Sequence, residues 1–216
     1  MSDNLGLLLV MTEPTPANED EFNAWYDREH VYERLSIPGF LSARRWVADE
    51  GAGAGKYLAA YELVSPSVLE TPEYLRHLGD GQTAWTRRML ADCTVFRRWA
   101  CEQIVPGDAQ APSMSYALFV DIGDVPVEWE GEFNRWYDEE HLPRLSQVPG
   151  VQRARRFRDP HGDPRYVALY DLEGEAVIDH PAWRAALAAD GARRIDELAQ
   201  GRERIRRLYR SYVPRG

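Results

Sequence analysis

The chain has 216 residues, 28% of them charged and 44% hydrophobic, enough apolar material for a folded core in one large domain or two small ones. Its 26 Lys and Arg against 35 Asp and Glu leave a formal charge of −9, which excludes the basic face that a nucleic-acid backbone demands. The two cysteines, Cys93 and Cys101, form no CxxC pair, which argues against a zinc site, a redox dithiol or a disulfide framework and for a reducing compartment.

In chain order, the apolar run Leu5 to Met11 lacks a basic flank and is too short to span a bilayer, so no membrane association is expected and the cytoplasm is the expected location. Leu7 to Thr12 reads as a first strand. A helix follows, with Asn18 as its cap and Glu19, Asp20 and Glu21 at its positive end; Pro38-Gly39 stops it. Two strands joined by the glycine-rich turn Asp49 to Gly55 come next, and Tyr57, Ala59, Tyr61 and Leu63 share one face of the second. A second helical region begins after Pro72, and Thr94 to Val105 closes the series. After the turn-rich linker Pro106 to Pro112 the order recurs: a strand at Tyr116 to Asp121, a helix, a hairpin turning at Asp159 to Pro164, helix after Pro181, and a strand at Arg204 to Val213. The late arginines Arg202, Arg204, Arg206, Arg207 and Arg210 read as a solvated strand face.

The recurrence extends to the residues. Glu21-Phe-Asn-Ala-Trp-Tyr-Asp-Arg-Glu-His30 and Glu132-Phe-Asn-Arg-Trp-Tyr-Asp-Glu-Glu-His141 agree at eight of ten positions. The same offset brings Pro38-Gly39 onto Pro149-Gly150 and Ala43-Arg44-Arg45-Trp46 onto Ala154-Arg155-Arg156-Phe157. Tyr57 to Leu63 then matches Tyr166 to Leu172, Thr71-Pro72 falls opposite His180-Pro181, and Phe96-Arg97-Arg98 opposite Ile205-Arg206-Arg207. The chain is therefore a tandem duplication, with modules at 1–107 and 112–216. Each is a βαββαβ unit, the ferredoxin-like motif, and the class is α+β. Such a module covers one face of its sheet with helices and leaves the other bare, so two modules can bury their bare faces together in a barrel.

At 100° per residue, Phe22, Trp25, Tyr26 and Glu29 share one helix face, as do Phe133, Trp136, Tyr137 and Glu140. A glutamate among aromatics has its ionised form disfavoured by desolvation. His30 and His141 follow by one position, and Asp27 and Asp138, three residues earlier, are placed to orient the rings, an arrangement suited to general acid–base work. The aromatic stripe serves equally as plain core, and the histidine equally as a helix-end packing residue. Tyr57, Tyr61, Tyr166 and Tyr170 are repeated and offer hydroxyls to a ligand, or act as ordinary strand aromatics. His77, His161 and His180 have no counterpart. The paired arginines of the second strand point to opposite faces, so one per module can face the helices. No phosphate-cradling loop, nucleophile elbow or metal-ligand cluster is present, so no cofactor is expected.

The series F-x-x-W-Y-x-x-E-H, P-G, A-R-R-aromatic and Y-x-A-x-Y-x-L resembles the EthD-like branch of the dimeric α/β-barrel superfamily, and it does so twice across nearly the whole chain. The resemblance implies paired ferredoxin-like sheets and a pocket between sheet and helices in each module. It further implies an activity among cofactor-free monooxygenases, muconolactone-type isomerases and EthD-like decarboxylases or dehydratases, while other members bind haem. The helix histidine of the family falls on His30 and His141 and its preceding glutamate on Glu29 and Glu140. The second module keeps the E-H-x-P form through Pro143; the first has Tyr32 there.

These readings converge on a cofactor-independent enzyme, a lyase, isomerase or monooxygenase of aromatic compound metabolism. Its substrate would be an aromatic or apolar oxygenated small molecule. His30 or His141 would move a proton with Glu29 or Glu140 as partner, and Trp25, Tyr26, Trp136 and Tyr137 would line the site. The alternatives are a non-catalytic carrier of a small ligand and a haem-binding barrel. Association of two chains into a homodimer is compatible with all three. Because each module leaves a sheet face bare, either half expressed alone should dimerise or aggregate. A well-behaved monomeric half in sedimentation velocity would refute the pairing argument.

Overall fold

A computed structural model describes residues 4–49 and 55–214, so most of the glycine-rich turn from Asp49 to Gly55 lies outside the described residues. The chain divides into two compact units, Met1–Glu102 with Ser211–Gly216, and Gln103–Arg210. Both units take the end of a last strand that the sequence places in the other module. Tyr212 donates its backbone N–H to the Arg45 carbonyl at 2.9 Å in the first unit. Ile104 and Val105 pack on the core of the second.

In the first unit β1 (Gly6–Pro14) lies between β3 (Tyr57–Leu63) and β4 (Cys93–Val105), and β2 (Phe40–Val47) pairs with the far side of β3; every pairing is antiparallel. The second unit repeats this with β5 (Ala117–Gly123) between β7 (Tyr166–Leu172) and β8 (Arg204–Ser211), and β6 (Val151–Arg158) beyond β7. The helices are α1 (Glu19–Trp25), α2 (Val31–Leu35), α3 (Pro72–Leu75) and α4 (Ala84–Asp92). Their counterparts are α5 (Glu130–Trp136), α6 (Leu142–Ser146), α7 (Pro181–Leu187) and α8 (Asp190–Leu198). One face of each sheet meets these helices. Tyr57, Ala59, Tyr61 and Leu63 pack with Phe22, Trp25 and Tyr26, and Tyr166, Ala168, Tyr170 and Leu172 pack with Phe133, Trp136 and Tyr137.

Three local expectations are corrected. Asn18 holds the cap position without a side-chain cap bond; its amide donates instead to Asp92 Oδ1 at 2.8 Å, beside Thr15, which bonds the same carboxylate, so the helix start is tied to the end of α4. The first helix is not uniformly α-helical. Val31 N–H bonds the Tyr26 carbonyl and Leu142 N–H the Tyr137 carbonyl, five residues back, which makes Tyr26–His30 and Tyr137–His141 π turns. The last strands also align one residue away from the sequence match. Val10 and Asp121 occupy equivalent places, facing Ala59 and Ala168, and their other partners are Arg98 and Arg206, not Arg98 and Arg207.

The Pro-Gly stops are steric requirements. Gly150 has φ +90°, and a Cβ there would lie 2.5 Å from Val177 Cγ2; Gly39 has φ +96° and the matching conflict with Val68. Gly150→Ala combines the left-handed penalty of about 1–2 kcal/mol with an overpacking cost of about 1–3 kcal/mol. Urea unfolding should therefore show a loss of at least about 2 kcal/mol; a midpoint unchanged from wild type would show that the turn has slack.

Candidate active site

The repeated motif does two jobs on different sides of the helix. On one side it holds an arginine. Arg156 is fully buried, donates to Asn134 Oδ1 at 2.6 Å and Asp138 Oδ1 at 2.7 Å, and lies over the rings of Tyr137 and Tyr166 at 4.5 and 4.7 Å. Arg45 does the same with Asn23 at 2.6 Å and Asp27 at 2.8 Å, between the rings of Tyr26 and Tyr212 at 4.2 and 3.9 Å. The second arginine of each pair thus faces the helices. Asp27 and Asp138 do not orient the histidines as the sequence suggested; a guanidinium one strand away offers a charge-assisted bond in better geometry. Tyr57 and Tyr166 are committed as well. Each hydroxyl accepts from an asparagine amide, at 2.9 and 3.1 Å, and donates to Glu19 or Glu130.

On the other side the π turn brings in the histidine. A turn widened by one residue places position i+5 under position i, so His30 lies against Trp25 at 4.3 Å and His141 stacks on Trp136 at 4.2 Å. Both are edge-on to the next tyrosine, Tyr26 at 5.2 Å and Tyr137 at 5.1 Å. The same widening turns the glutamates off the aromatic face, against the 100° projection. Glu29 accepts from Thr83 Oγ1 at 2.6 Å, and Glu140 is exposed. Trp25 is closed off by His30 and by its bond to Thr86 at 3.1 Å.

The second unit contains a polar cluster that the sequence reading missed. Asp121, 2% exposed, accepts from Arg204 Nε at 2.9 Å and Nη2 at 2.7 Å, from Arg206 Nε at 3.3 Å and from the Tyr137 hydroxyl at 2.9 Å. Arg204 is therefore no part of a solvated face; the one-residue register shift turns it inward to a buried carboxylate. The available signal was Asp121 itself, the one charge in the run Ala117-Leu-Phe-Val-Asp-Ile-Gly123, buried along its whole length. In the first unit the matching place is Val10, so this cluster is not a product of duplication.

His141, 2% exposed, borders that cluster, and its Nε2 has no hydrogen-bond partner among the described residues; nor has the Tyr170 hydroxyl. Buried polar atoms are normally paired, so two open ones in the core of one unit call for explanation. Burial pushes His141 down to about 3, with Arg204, Arg206 and Arg144 adding to the effect and Asp121 opposing it. Burial alone would raise Asp121, but Arg204 and Arg206 outweigh it and hold the carboxyl at about 2. At neutral pH the site thus combines an ionised aspartate, two guanidiniums and a neutral imidazole. Among the described residues no group of three His, Cys, Asp or Glu is placed to hold a metal ion, and no helix is long and apolar enough to cross a membrane.

No protein-family model matches the chain, and no curated protein matches its sequence. Solved structures match over its whole length. The crystal structure of an anthrone oxidase-like protein has TM-score 0.66 at 16% identity, covering 99% of this chain and 93% of that one. Chlorite dismutase from Candidatus Nitrospira defluvii gives TM-score 0.62 at 10% identity, covering 99% and 93%. A ferredoxin-fold protein of Listeria monocytogenes related to antibiotic biosynthesis monooxygenases gives TM-score 0.52 at 7% identity, covering 97% and 96%. The chain has the dimeric α/β-barrel fold. These identities carry the architecture alone, since one fold hosts many activities.

The depressed His141 value has a consequence for stability. The native ring stays neutral down to about pH 3, whereas in the unfolded chain it protonates near pH 6.5. Its contribution is present above pH 6.5 and is lost as pH falls, by about 2 kcal/mol at pH 5. Asp121 acts with the same sign only below about pH 4. His141→Phe keeps the stack on Trp136 and should flatten the fall in urea midpoint between pH 7 and 5. An unchanged slope would place the titrating group elsewhere.

Proposed function

We propose that the chain is a cofactor-independent enzyme of EthD-like type that removes a proton from a small aromatic ketone or phenol, with the second unit as its active site. The observation that carries this reading is the pair of buried, unpartnered groups, His141 Nε2 and the Tyr170 hydroxyl, beside the Asp121–Arg204–Tyr137 cluster. An oxygenated aromatic fits both halves of that description: apolar walls for its rings, and fixed donors for its oxygen. The Glu140-His141-Leu142-Pro143 segment keeps the E-H-x-P form of the EthD-like branch. Likeness to an anthrone oxidase-like protein points to the same class of compound.

The proposed chemistry follows from charge. An imidazole held at about 3, chiefly by burial, is a weak base in the resting site. As a C–H or O–H bond of the substrate breaks, negative charge grows on the substrate oxygen; that charge raises the proton affinity of His141 and is itself met by Arg204 and the Tyr170 hydroxyl. Proton transfer and anion stabilisation therefore reinforce one another. Decarboxylation, dehydration, isomerisation and oxygenation all pass through such an anion. Trp136 and Tyr137 would hold the ring system, while Glu140 and Asp138, exposed or bound to Arg156, would act only through the helix.

Proton exchange tests this before the full reaction is known. Anthrone incubated without oxygen in deuterated buffer should exchange its acidic CH2 hydrogens faster with the protein than without it. His141→Phe should cut the catalysed rate by about 10²–10⁴ with the fold intact by circular dichroism. Binding without exchange would identify a carrier, and a Soret band in the purified protein would identify a haem protein; either result defeats the enzyme reading.

A further inference from the structure

The first unit lacks the buried aspartate cluster but contains a chain of three titratable side chains running from its core toward solvent. His30 Nδ1 lies 3.4 Å from Glu33 Oε2, and the other carboxylate oxygen, Oε1, lies 2.9 Å from His77 Nδ1. Side-chain exposure rises along this path, from 11% at His30 and 12% at Glu33 to 32% at His77. Arg34 flanks the carboxylate, with Nη2 3.7 Å from Glu33 Oε2 and 3.4 Å from the His77 carbonyl, and its guanidinium lies over Tyr74 at 5.5 Å.

The arrangement is not needed to bury the histidine. In the second unit His141 is buried on its tryptophan with Arg144 in the place of Glu33 and, by the Thr71-Pro72/His180-Pro181 match, buried Ala186 in the place of His77. The charged and titratable groups facing His30 are Glu29, Glu33 and Arg34 from its own helix and Tyr26 and Tyr61 from the aromatic core. Glu29 is engaged by Thr83. Glu33 is the one that also reaches a partly exposed base. Burial would raise its carboxyl, but the two imidazoles and Arg34 hold it at about 2, so it stays ionised and keeps both rings turned toward it.

We propose that Glu33 and His77 form a proton relay that lets the buried His30 exchange protons with solvent, making the first unit a second acid–base centre distinct from the His141 site. When His30 has taken up a proton at Nε2 and is an imidazolium, a small swing of the Glu33 carboxylate closes the 3.4 Å gap, and the Nδ1 proton passes to Glu33 Oε2, leaving His30 neutral. A half-turn of the carboxyl presents it to His77 Nδ1, and His77 releases a proton from Nε2 to water. No electrons are transferred, and each group returns to its starting state when a proton re-enters by the same route. The inference does not depend on the reading of His141, whose neighbours are different residues.

Exchange of ring protons in the full chain labelled with ¹⁵N-histidine provides the test. His77→Gln retains an amide donor for Glu33 at a partly exposed position but cannot pass a proton on. His30 ring-proton exchange with water should then slow at least tenfold, while that of His141 stays as in wild type. Added free imidazole should restore the rate. Glu33→Gln should give the same loss without rescue by imidazole. Unchanged His30 exchange in His77→Gln would overturn the relay. So would equal slowing at His30 and His141, which would trace exchange to general opening of the chain.

Discussion

A buried guanidinium gripped by one helix organises each unit. Arg45 and Arg156 reach from the sheet to an asparagine and an aspartate four residues apart on α1 or α5 and into the following turn, and aromatic faces cover them. A charge at this depth is tolerable only if it is paired and hydrogen-bonded, and removing one partner from such a pair typically costs about 3–5 kcal/mol. The contact therefore fixes the rotation of the helix against the sheet. It explains why the duplication preserves Asn23/Asn134, Asp27/Asp138 and the second arginine together: these residues are parts of one clamp, and the aspartates belong to it rather than to the histidines.

With the rotation fixed, the π turn decides what else faces the sheet. An unbroken α-helix would bring Glu29 or Glu140 under the aromatic ring four residues earlier. The extra residue in the turn brings His30 or His141 there instead, and the imidazole completes the stack on the indole. A carboxylate in that place would have to be desolvated without a partner, whereas a neutral imidazole pays far less for burial. The widened turn and the histidine are thus two aspects of one solution, and π turns often mark functional sites because they aim a side chain where a regular helix cannot.

This accounts for what the sequence revealed and what it concealed. The repeat, the order of elements and the aromatic core were legible because they rest on local patterns: alternation in Tyr57 to Leu63, the Pro-Gly stops, the recurring Phe-x-x-Trp-Tyr. Helical projection failed at the π turn, since a change of pitch leaves no mark on composition. The cluster at Asp121 was hidden because it joins residues more than eighty positions apart through strand register, and a slip of one residue reverses which arginines face inward. The path through Glu33 and His77 was hidden for the same kind of reason: His77 reaches Glu33 through the packing of α2 beside the segment after α3, not through any repeat or motif.

The two units share a frame and differ in where their charge comes from. In both, a tryptophan, a tyrosine, a histidine and a second tyrosine from the middle strand line the same space between helix and sheet. In the second unit the ionised groups enter from the strands, as Asp121, Arg204 and Arg206. In the first they enter from the helix, as Glu33 and Arg34, while the strand position equivalent to Asp121 is Val10. Duplicated scaffolding constrains the frame, because the clamp and the stack depend on many residues at once. A single carboxylate at the edge of the frame is much freer to change, and its charge pulls against the burial that lowers the imidazole beside it. His141 is held neutral by burial, with Arg204 and Arg206 adding to the effect and Asp121 opposing it. His30 lies beside Glu33, whose other carboxylate oxygen meets the partly exposed His77. Divergence after duplication therefore needed no new fold, only a few charges entering one conserved space from opposite sides.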